Sequence, residues 1–453
     1  MSSKNPPFNP DALYQQALSL HHAGQLHEAE TLYKKLLQFF PNQPDVLSTL
    51  GTLLLQCGRQ EEGIKQLQKS IRINPQQPMA LYNLGAEFQK LLRLKDALAC
   101  YDQAIKLNAE DAATHLNRGN TLKDLKQCAA AIESYDRAIA LQDDLAAAYW
   151  NKSLTQILSG DYAAGWRGYE WGWQCAERGT QRQFAEPLWL GEESLAGKTL
   201  LIHAEQGLGD VIQFCRYVPL VAKIGARVLL EVPASLMTLL SSLPARLIEK
   251  GHALPAFDYH CPIMSLPLAF KTTLESIPSR ASYLEANPDQ VSKWQQRLGP
   301  KTRPRVGLAW SGSTAHKNDR NRSIPAKLLK PLLKMPFEFH ALQTEISTAD
   351  LGVLSGVPHQ LHLHHEEIKD FSDTAALAQE MDVVISVDTS VAHLAGALGI
   401  ETWVLLPFSP DYRWLLERTD SPWYDAVSLI RQVQIGEWSG VIATLAKRLQ
   451  ERF

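Results

Sequence analysis

Cysteine is scarce in this chain of 453 residues, and none of the six cysteines stands in a C-x-x-C pair. That usage argues against a disulfide framework or a zinc site of ordinary spacing, and it suits a reducing compartment. No apolar run approaches the roughly 18 residues that a membrane span needs. The first residues, MSSKNPPFNPD, hold no apolar signal core. We therefore expect a cytoplasmic protein without a membrane span.

An excess of either charge is also lacking, because 45 basic residues face 48 acidic ones and the net charge is -3. This balance gives no reason to expect nucleic acid or an anionic membrane as a partner. Apolar residues make up 45% of the chain and charged residues 21%, as in soluble globular proteins. The length exceeds what one ordinary core can hold, so we expect two to four domains.

A 34-residue period runs through the N-terminal third, with repeats that begin at 10, 44, 78, 112 and 146. The twentieth position of each repeat is small: Ala29, Gly63, Ala97, Ala131 and Gly165. The eighth position is small as well: Ala17, Gly51, Gly85, Gly119 and Ser153. The position four places after the twentieth is large: Tyr33, Leu67, Tyr101, Tyr135 and Tyr169. Small residues let paired helices cross closely, and the large ones fill the space between repeats.

This pattern closely resembles the tetratricopeptide repeat over about residues 10 to 176, and we assign residues 1–176 to about five such units. The resemblance implies a solenoid of helix pairs with a concave groove. The last unit, DYAAGWRGYEWGW, is rich in tryptophan, and we expect it to dock on the C-terminal part of the chain. The sixth position holds Asn83, Asn117 and Asn151, which the family places in the groove. Such a ladder can bind the backbone of a protein or peptide, although asparagine is common there whatever these repeats bind.

After Trp173 the pattern changes to strand-like runs that alternate with amphipathic segments. We expect parallel, doubly wound α/β sheets and place a helix in AKLLKPLL and a linker at about 290–303. The predicted parts are a connector at 177–196, two Rossmann-like domains at 197–297 and 303–435, and a C-terminal helix at 436–453. Ligands of such sheets bind beyond the carboxyl ends of the strands.

The first of these strand ends is AEQGLGDVIQF, residues 204 to 214. It resembles a dinucleotide-binding loop, but Ile212 stands where the third glycine of G-x-G-x-x-G belongs. Glycine lets the backbone approach a ligand closely. Asp210 is either a helix-capping residue or a proton acceptor, and the helix dipole, which favours the charged carboxylate, weakens it as a base. The broken glycine pattern disfavours a nicotinamide oxidoreductase.

The second strand end is AWSGSTAHKNDRNRS, residues 309 to 323, which is rich in hydroxyls and cations. Such a loop suits a phosphate group, and a solvated polar loop is the alternative. The third is DVVISVDTSVAHLAGALG, residues 382 to 399. Its helix opening either binds an anion through free N–H groups or is an ordinary cap, and His393 is either part of the site or a packed core histidine.

GLGD followed by VIQFCRYVPL is similar to the start of the lipopolysaccharide heptosyltransferase-like glycosyltransferases, and SVDTSVAHLAGALG resembles their D-T-x-x-x-H-x-x-x-A-x-G signature. With LAGKTLLIHAEQGLGD, GLAWSGSTAHKNDRNRS and LLPFSPDYRWLL, the chain looks most like the bacterial tetratricopeptide-repeat glycosyltransferases. The resemblance implies the GT-B fold, a nucleotide-sugar donor bound by the second α/β domain, an acceptor bound by the first, and inversion without a metal or other cofactor.

Carried over residue by residue, the resemblance makes Asp210 the general base and Lys317 the cation that neutralises the departing diphosphate. It places the phosphates on the backbone N–H groups of Thr389, Ser390 and Val391, with Asp388 and His393 shaping that loop. We further predict that the nucleotide-sugar site includes Gly207, Leu208, Gly209, Gln213, Trp310, Ser311, Gly312 and Gln343.

The leading hypothesis is therefore a glycosyltransferase whose repeats present a protein or peptide acceptor, the arrangement also found in eukaryotic O-GlcNAc transferase. The alternative is a repeat scaffold whose glycosyltransferase-like part only binds nucleotides or is structural. The group His362, His364 and His365 has the composition of a metal site, but alternation along a strand edge or loop explains it more simply.

Overall fold

The structure is a computed structural model, and it describes residues 9–278, 281–314, 318–355 and 361–453. Its contacts divide the chain into two compact units, Met1–Asn151 and Lys152–Phe453. The repeats form consecutive helix pairs, as the period predicts. These helices are α1 (Pro10–His22), α2 (Leu26–Phe39), α3 (Pro44–Gln56), α4 (Gln60–Ile73), α5 (Pro78–Lys90), α6 (Leu94–Leu107), α7 (Ala112–Asp124), α8 (Cys128–Leu141) and α9 (Ala146–Leu158).

The small and large repeat positions meet inside each pair, and the predicted helix crossing is confirmed. A Cβ added to Gly119 would lie 2.5 Å from Cε1 of Tyr135, and one added to Gly85 would lie 2.9 Å from Cε1 of Tyr101. Both tyrosines are fully buried. Glycine at the eighth position thus leaves the space that the ring of the same repeat fills.

The tryptophan-rich end of the repeats packs within the second compact unit. Helix α10 (Tyr162–Tyr169) is followed by a 3₁₀ turn over Glu170–Trp173. The ring of Trp166 is 2% exposed and lies 5.5 to 6.5 Å, centroid to centroid, from five aromatic rings: Tyr162, Tyr169, Phe214, Tyr412 and Trp423. The expectation that this segment docks on the C-terminal part of the chain is confirmed.

The first sheet has four parallel strands in the order β3-β2-β1-β4. Its strands are short and its helices stay shorter than the sequence pattern indicates. The strands are β1 (Thr199–His203), β2 (Arg227–Val232), β3 (Arg246–Glu249) and β4 (Tyr259–Pro262), and the helices are α11 (Leu208–Phe214), α12 (Val218–Lys223), α13 (Ala234–Met237) and α14 (Leu266–Ala269).

The predicted linker at about 290–303 is largely helical, because α15 covers Pro288–Leu298. Asn287 caps it by accepting from the N–H of Asp289 at 2.9 Å, Pro288 occupies the first turn, and Trp294 is buried. These start signals outweigh the polar composition that resembled a linker.

The second sheet has six parallel strands in the order β10-β9-β8-β5-β6-β7. The predicted helix in AKLLKPLL is wrong, because Pro331 leaves only two 3₁₀ turns there. The strands are β5 (Arg305–Ala309), β6 (Glu338–Ala341), β7 (Leu361–Leu363), β8 (Val383–Val387), β9 (Thr402–Leu406) and β10 (Val427–Arg431). The helices are α16 (Asp319–Arg322), α17 (Thr348–Leu354), α18 (Phe371–Gln379), α19 (Ser390–Ala397) and α20 (Ser439–Arg452).

Two parallel sheets with helical connections confirm the α/β prediction for this part of the chain. Strands β5, β8 and β9 are buried along their whole length, as parallel strands covered on both faces must be. Within the described ranges, no helix combines the length and apolar character that crossing a membrane requires.

Candidate functional site

Each sheet reverses its strand order beside the loops that the sequence singled out. In the first sheet β1 lies between β2 and β4, and in the second β5 lies between β6 and β8. The connections that leave the two neighbouring strands run in opposite directions at these points, and this opens a crevice at the carboxyl ends of the strands. The GLGD turn comes after β1, the hydroxyl- and cation-rich loop after β5, and the DTS turn after β8.

The GLGD turn is closed by Asp210 itself. Helix α11 begins at Leu208, and Oδ2 of Asp210 accepts a hydrogen bond from the Gly207 N–H at 2.8 Å. The residue before it, Gln206, has a φ of 59°, in the left-handed region that non-glycine residues rarely adopt. The Tyr169 hydroxyl holds Gln206 by donating to its Oε1 at 3.2 Å. Asp210 therefore closes the helix opening from the third helical position, and the N-cap residue itself is Gly207.

Gly209 brings α11 against the opening of α19. A Cβ added to it would lie 2.9 Å from Cδ2 of His393, 3.3 Å from the Cα of Ser390 and 3.6 Å from its N atom. The sequence predicts that this glycine leaves room for a ligand. In the structure it leaves room for a helix instead, since the GLGD turn of the first sheet touches the DTS helix of the second.

Arg413, in the phrase DYRW after β9, holds the carboxylate of Asp210. Its Nη2 donates to Oδ1 of Asp210, its Nη1 to Oδ1 of Asp411 at 2.8 Å and its Nε to Oε1 of Gln213 at 2.7 Å. The residue is only 9% exposed. Sequence reasoning missed Arg413, although it lies beyond the carboxyl end of a buried strand, which is the same signal that selected the other loops.

The opening of α19 is built from Thr389, Ser390 and Val391. Thr389 is the N-cap residue with extended backbone (φ -140°, ψ 175°). Its hydroxyl lies 3.2 Å from Oγ of Ser386 and is directed toward the strand rather than the first helical turn. The ordinary capping interpretation therefore does not describe the Thr389 side chain.

Asp388 and His393 flank this opening, and His393 is buried whereas Asp388 is half-buried. Burial, with the neighbouring carboxylate of Asp411, raises the pKa of Asp388 to about 6. Burial lowers the pKa of His393 well below its usual value. The Nδ1 of His393 lies 2.8 Å from the Tyr424 hydroxyl, and its ring stacks on Trp414 at 5.5 Å. His393 is thus a neutral, packed histidine that supports the helix opening.

The loop after β5 is anchored by Gln343 and Trp310. The Gln343 Oε1 accepts from the N–H groups of Trp310 and Ser311 at 2.8 and 3.2 Å, and its Nε2 donates to Oγ of Ser311 at 2.8 Å. The Trp310 side chain is 1% exposed, and its indole donates to Asp350 at 3.2 Å. These side chains are hydrogen-bonded to neighbouring parts of the protein, whereas the sequence predicts that both contact the nucleotide-sugar.

Arg322 connects this loop to the turn after β8. Its Nη1 donates to the carbonyl oxygen of Asp388 at 2.8 Å. A Cβ added to Gly312 would lie 2.4 Å from its Nη2, so the guanidinium passes directly over the glycine. Lys317, the predicted leaving-group cation, lies outside the described residues.

A buried ionic cluster that the sequence did not indicate lies behind the GLGD turn. Arg178 Nη2 donates to Oε1 of Glu205 at 2.6 Å and to Oγ of Ser265 at 2.9 Å, and its Nη1 donates to Oε1 of Glu170 at 2.8 Å. Burial raises the pKa of Glu205 to about 7 despite Arg178. The cluster joins the predicted connector to the end of β1.

The predicted asparagine ladder bridges neighbouring repeats. Asn83 Nδ2 donates to Oγ1 of Thr52, and Asn117 Nδ2 donates to the Tyr82 hydroxyl, each at 3.0 Å. Both asparagines are half-buried. Asn151, the third member, ends the first compact unit. Binding of a peptide by these residues stays a prediction.

Two of the three histidines that the sequence singles out, His362 and His364, stack with a third from β6, His340. His340 of β6 stacks on His362 at 4.8 Å and on His364 at 5.4 Å, and His364 Nδ1 lies 3.0 Å from Oε2 of Glu367. These residues border a cavity of about 390 Å³. In the parts of the chain that the structure describes, no three His, Cys, Asp or Glu side chains are arranged to hold a metal ion.

Comparison with known proteins identifies the N-terminal helices. Models of the tetratricopeptide repeat match residues 20–86, 78–111 and 112–145. Residues 20–145 are tetratricopeptide repeats. The chain is also similar to protein FlbA of Caulobacter vibrioides, with 27% identity over 328 residues, which is 65% of this chain and 53% of FlbA. The chain thus spans about half the length of this curated relative.

Three solved structures that resemble this chain each cover 37 to 38% of it. MamA from Desulfovibrio magneticus is 19% identical over 38% of this chain and 95% of its own, with a TM-score of 0.34. PilF of Pseudomonas aeruginosa is 18% identical over 38% and 78%. YrrB, a repeat protein described with an unusual peptide-binding site, is 18% identical over 37% and 86%. The last two also have a TM-score of 0.34.

Proposed function

We propose that this chain is an inverting, metal-independent glycosyltransferase of GT-B type that moves a sugar from a nucleotide-sugar to an acceptor hydroxyl. One observation carries the proposal. The GLGD turn after β1 touches the opening of α19, since a Cβ on Gly209 would lie 3.3 Å from Ser390. A carboxylate and a helix N-terminus are thereby held side by side at the carboxyl ends of two parallel sheets, where such folds bind ligands.

The opening of α19 is the proposed seat of the donor diphosphate. Its free backbone N–H groups and the helix dipole favour an anion, and the side chain of the cap residue Thr389 is directed elsewhere. Gln213, whose Oε1 is held by Arg413, has a fully buried Nε2 without a hydrogen-bond partner among the described residues. Buried donors normally have an acceptor, and we assign a phosphate oxygen of the nucleotide-sugar to this one.

Asp210 is the proposed general base. The acceptor oxygen attacks the anomeric carbon, its proton passes to the Asp210 carboxylate, and the bond from that carbon to the diphosphate oxygen breaks. The leaving diphosphate takes the electron pair of that bond. Lys317 and the α19 N–H groups stabilise its charge, and such preorganised stabilisation contributes most to many enzymatic rates.

The repeats are the proposed site of a protein or peptide acceptor. Asn83 and Asn117 each donate their Nδ2 to a preceding repeat, and the amide oxygens are the atoms we assign to an acceptor backbone. This arrangement fixes an extended chain without selecting its side chains.

The test is release of a nucleoside diphosphate from a panel of nucleotide-sugars, with Asp210→Asn compared against the unchanged protein. We expect turnover with at least one donor, and a loss of about 10²- to 10⁴-fold in the variant, which is the usual contribution of a positioned base. Donor binding, measured by thermal shift, should be retained.

Asp370→Asn is the matched control, because Asp370 also caps a helix, accepting from the N–H of Ser372 at 2.8 Å, but lies at the start of α18. It should leave turnover unchanged. Binding of donors without turnover in the unchanged protein would favour the repeat scaffold instead.

A further inference from the structure

The single positive charge of Arg413 is surrounded by several hydrogen-bond acceptors. Arg413 donates to the carboxylates of Asp210 and Asp411 and to the amide oxygen of Gln213. Asp388 is a further, half-buried carboxyl whose charge interacts with both Arg413 and Asp411. The Arg413 guanidinium thus has more than one carboxylate partner, and no carboxylate is its sole ion-pair partner.

Both oxygens of Asp210 are committed to donors in this structure. Oδ2 accepts from the Gly207 N–H at 2.8 Å, and Oδ1 accepts from Arg413. A guanidinium bound to a carboxylate opposes proton transfer to it, because the attraction of the pair is lost when the carboxylate is neutralised. In this arrangement Asp210 is held as an ion-pair partner, and Arg413 must leave Oδ1 before the carboxylate can act freely as a base.

The opening of α19 lies within reach of this pair. Gly209, next to Asp210 in the chain, approaches the N atom of Ser390, and Gln213 contacts Arg413 directly. An anion seated on α19 therefore lies beside the guanidinium. Arginine binds carboxylates and phosphates through the same planar fork of N–H groups, and a diphosphate carries more negative charge than one carboxylate.

We propose that Arg413 is exchanged between Asp210 and the donor diphosphate. Without a donor it pairs with Asp210. With a donor its fork turns to the diphosphate, where it neutralises charge, and Oδ1 of Asp210 is released to accept the proton of the acceptor. Arg413 is then a positioning residue for the base as well as a ligand of the donor. This inference rests on the proposed function, since it requires a diphosphate at α19.

The exchange is tested with inorganic pyrophosphate as the probe, by isothermal titration calorimetry on the full chain. The proteins compared are the unchanged chain, Asp210→Asn, Arg413→Ala and the double variant. Exchange predicts that Asp210→Asn tightens binding by about fivefold, because a competitor for Arg413 has lost its charge. Arg413→Ala weakens binding by about tenfold or more.

The double variant separates exchange from simple repulsion. If Asp210 acts through Arg413, the gain from Asp210→Asn falls below about twofold once Arg413 is alanine. An equal gain in both backgrounds, or no gain in either, overturns the exchange. The proposed function is untouched by that result, because it requires a diphosphate at α19 and turnover but not the movement of Arg413 between partners.

Two further measurements keep the result decisive. Arg413→Lys retains the charge but lacks the planar fork of N–H groups, so it replaces Arg413→Ala if that variant fails to fold. Its affinity for pyrophosphate should lie between those of the unchanged chain and Arg413→Ala. Arg418→Ala, which breaks the exposed pair with Asp420, should leave the affinity unchanged. Absence of pyrophosphate and nucleotide binding in all proteins would overturn both the exchange and the proposed function.

Discussion

Gly209 lies in the helix after a strand of the first sheet and Ser390 in the helix after a strand of the second, yet a Cβ on the glycine would lie 3.3 Å from the serine Cα. The close approach leaves no space for a larger residue, since the ring of His393 closes the other side at 2.9 Å. The turn after β1 and the helix after β8 are therefore parts of one packed junction.

Gly209→Ala should destabilise the protein by about 1–3 kcal/mol, the usual effect of overpacking. The His393 ring cannot move aside easily, because it is packed on Trp414 and bonded to Tyr424. The free energy of unfolding in denaturant measures the effect. Gly352→Ala is the matched control: Gly352 also lies in a helix, α17, and a Cβ there would meet nothing within 4 Å.

That control should be neutral or stabilising by about 0.5–1 kcal/mol, because alanine is the better helix former. Equal effects at both glycines would contradict the close packing of α11 against α19.

Trp166→Ala should destabilise the second compact unit by about 3–5 kcal/mol, as deletion of a buried aromatic side chain does. The ring is 2% exposed and meets residues from α11 and from the loop after β9. Trp166→Phe should recover part of the loss. Phe453→Ala removes an aromatic ring that is 43% exposed, and a similar cost there would show that burial is not the cause.

The stability of the protein should fall with rising pH through Glu205. Its pKa is about 7 in the folded protein against an ordinary 4.5, chiefly because of burial. The folded state therefore binds the Glu205 proton more tightly than the unfolded state does. The resulting contribution to the free energy of unfolding is complete below about pH 4.5 and is lost as the pH rises through about 7. Glu205→Gln removes the titration.

The measurement is the free energy of unfolding of both proteins from about pH 5 to about pH 8. The unchanged protein should lose stability relative to Glu205→Gln over that range. His340, whose pKa burial lowers to about 3, acts with the opposite sign in acid and cancels in the difference. Parallel curves for the two proteins would contradict the assignment.

Replacing Asn83, Asn117 and Asn151 together by alanine should impair transfer to a protein acceptor while slow hydrolysis of the donor continues. The reason is that the groove and the donor site hold different substrates. Asn42→Ala, at an exposed position between repeats, is the control. Equal loss of both activities would count against a peptide ladder.

Much of the fold is encoded in local pattern. The 34-residue spacing places Gly119 and Tyr135 at positions that meet in the structure, because helix pairing is a property of each repeat. The alternation of strand and helix likewise predicts parallel sheets, which leave a crevice for ligands where the strand order reverses. The helix expected in AKLLKPLL does not form, because Pro331 breaks it despite the helical spacing of the apolar residues.

The site itself is less completely encoded in local pattern. Gly209 is recognisable as a residue that needs space, but its neighbour Ser390 lies 181 positions away along the chain, and local pattern carries no such pairing. The contacts of Arg413 with Asp210 and of Arg178 with Glu205 are missed for the same reason. Trp310 and Gln343 carry suitable polar groups, yet these groups already form hydrogen bonds within the protein.

The most direct test is a crystal structure of the protein with the nucleoside diphosphate that raises its melting temperature most. The phosphate oxygens should lie within about 3.2 Å of the backbone nitrogens at Thr389–Val391, with the Asp210 carboxylate facing the open side of the same pocket. A nucleotide bound on another surface, or an empty α19 opening at saturating concentration, would contradict the proposal.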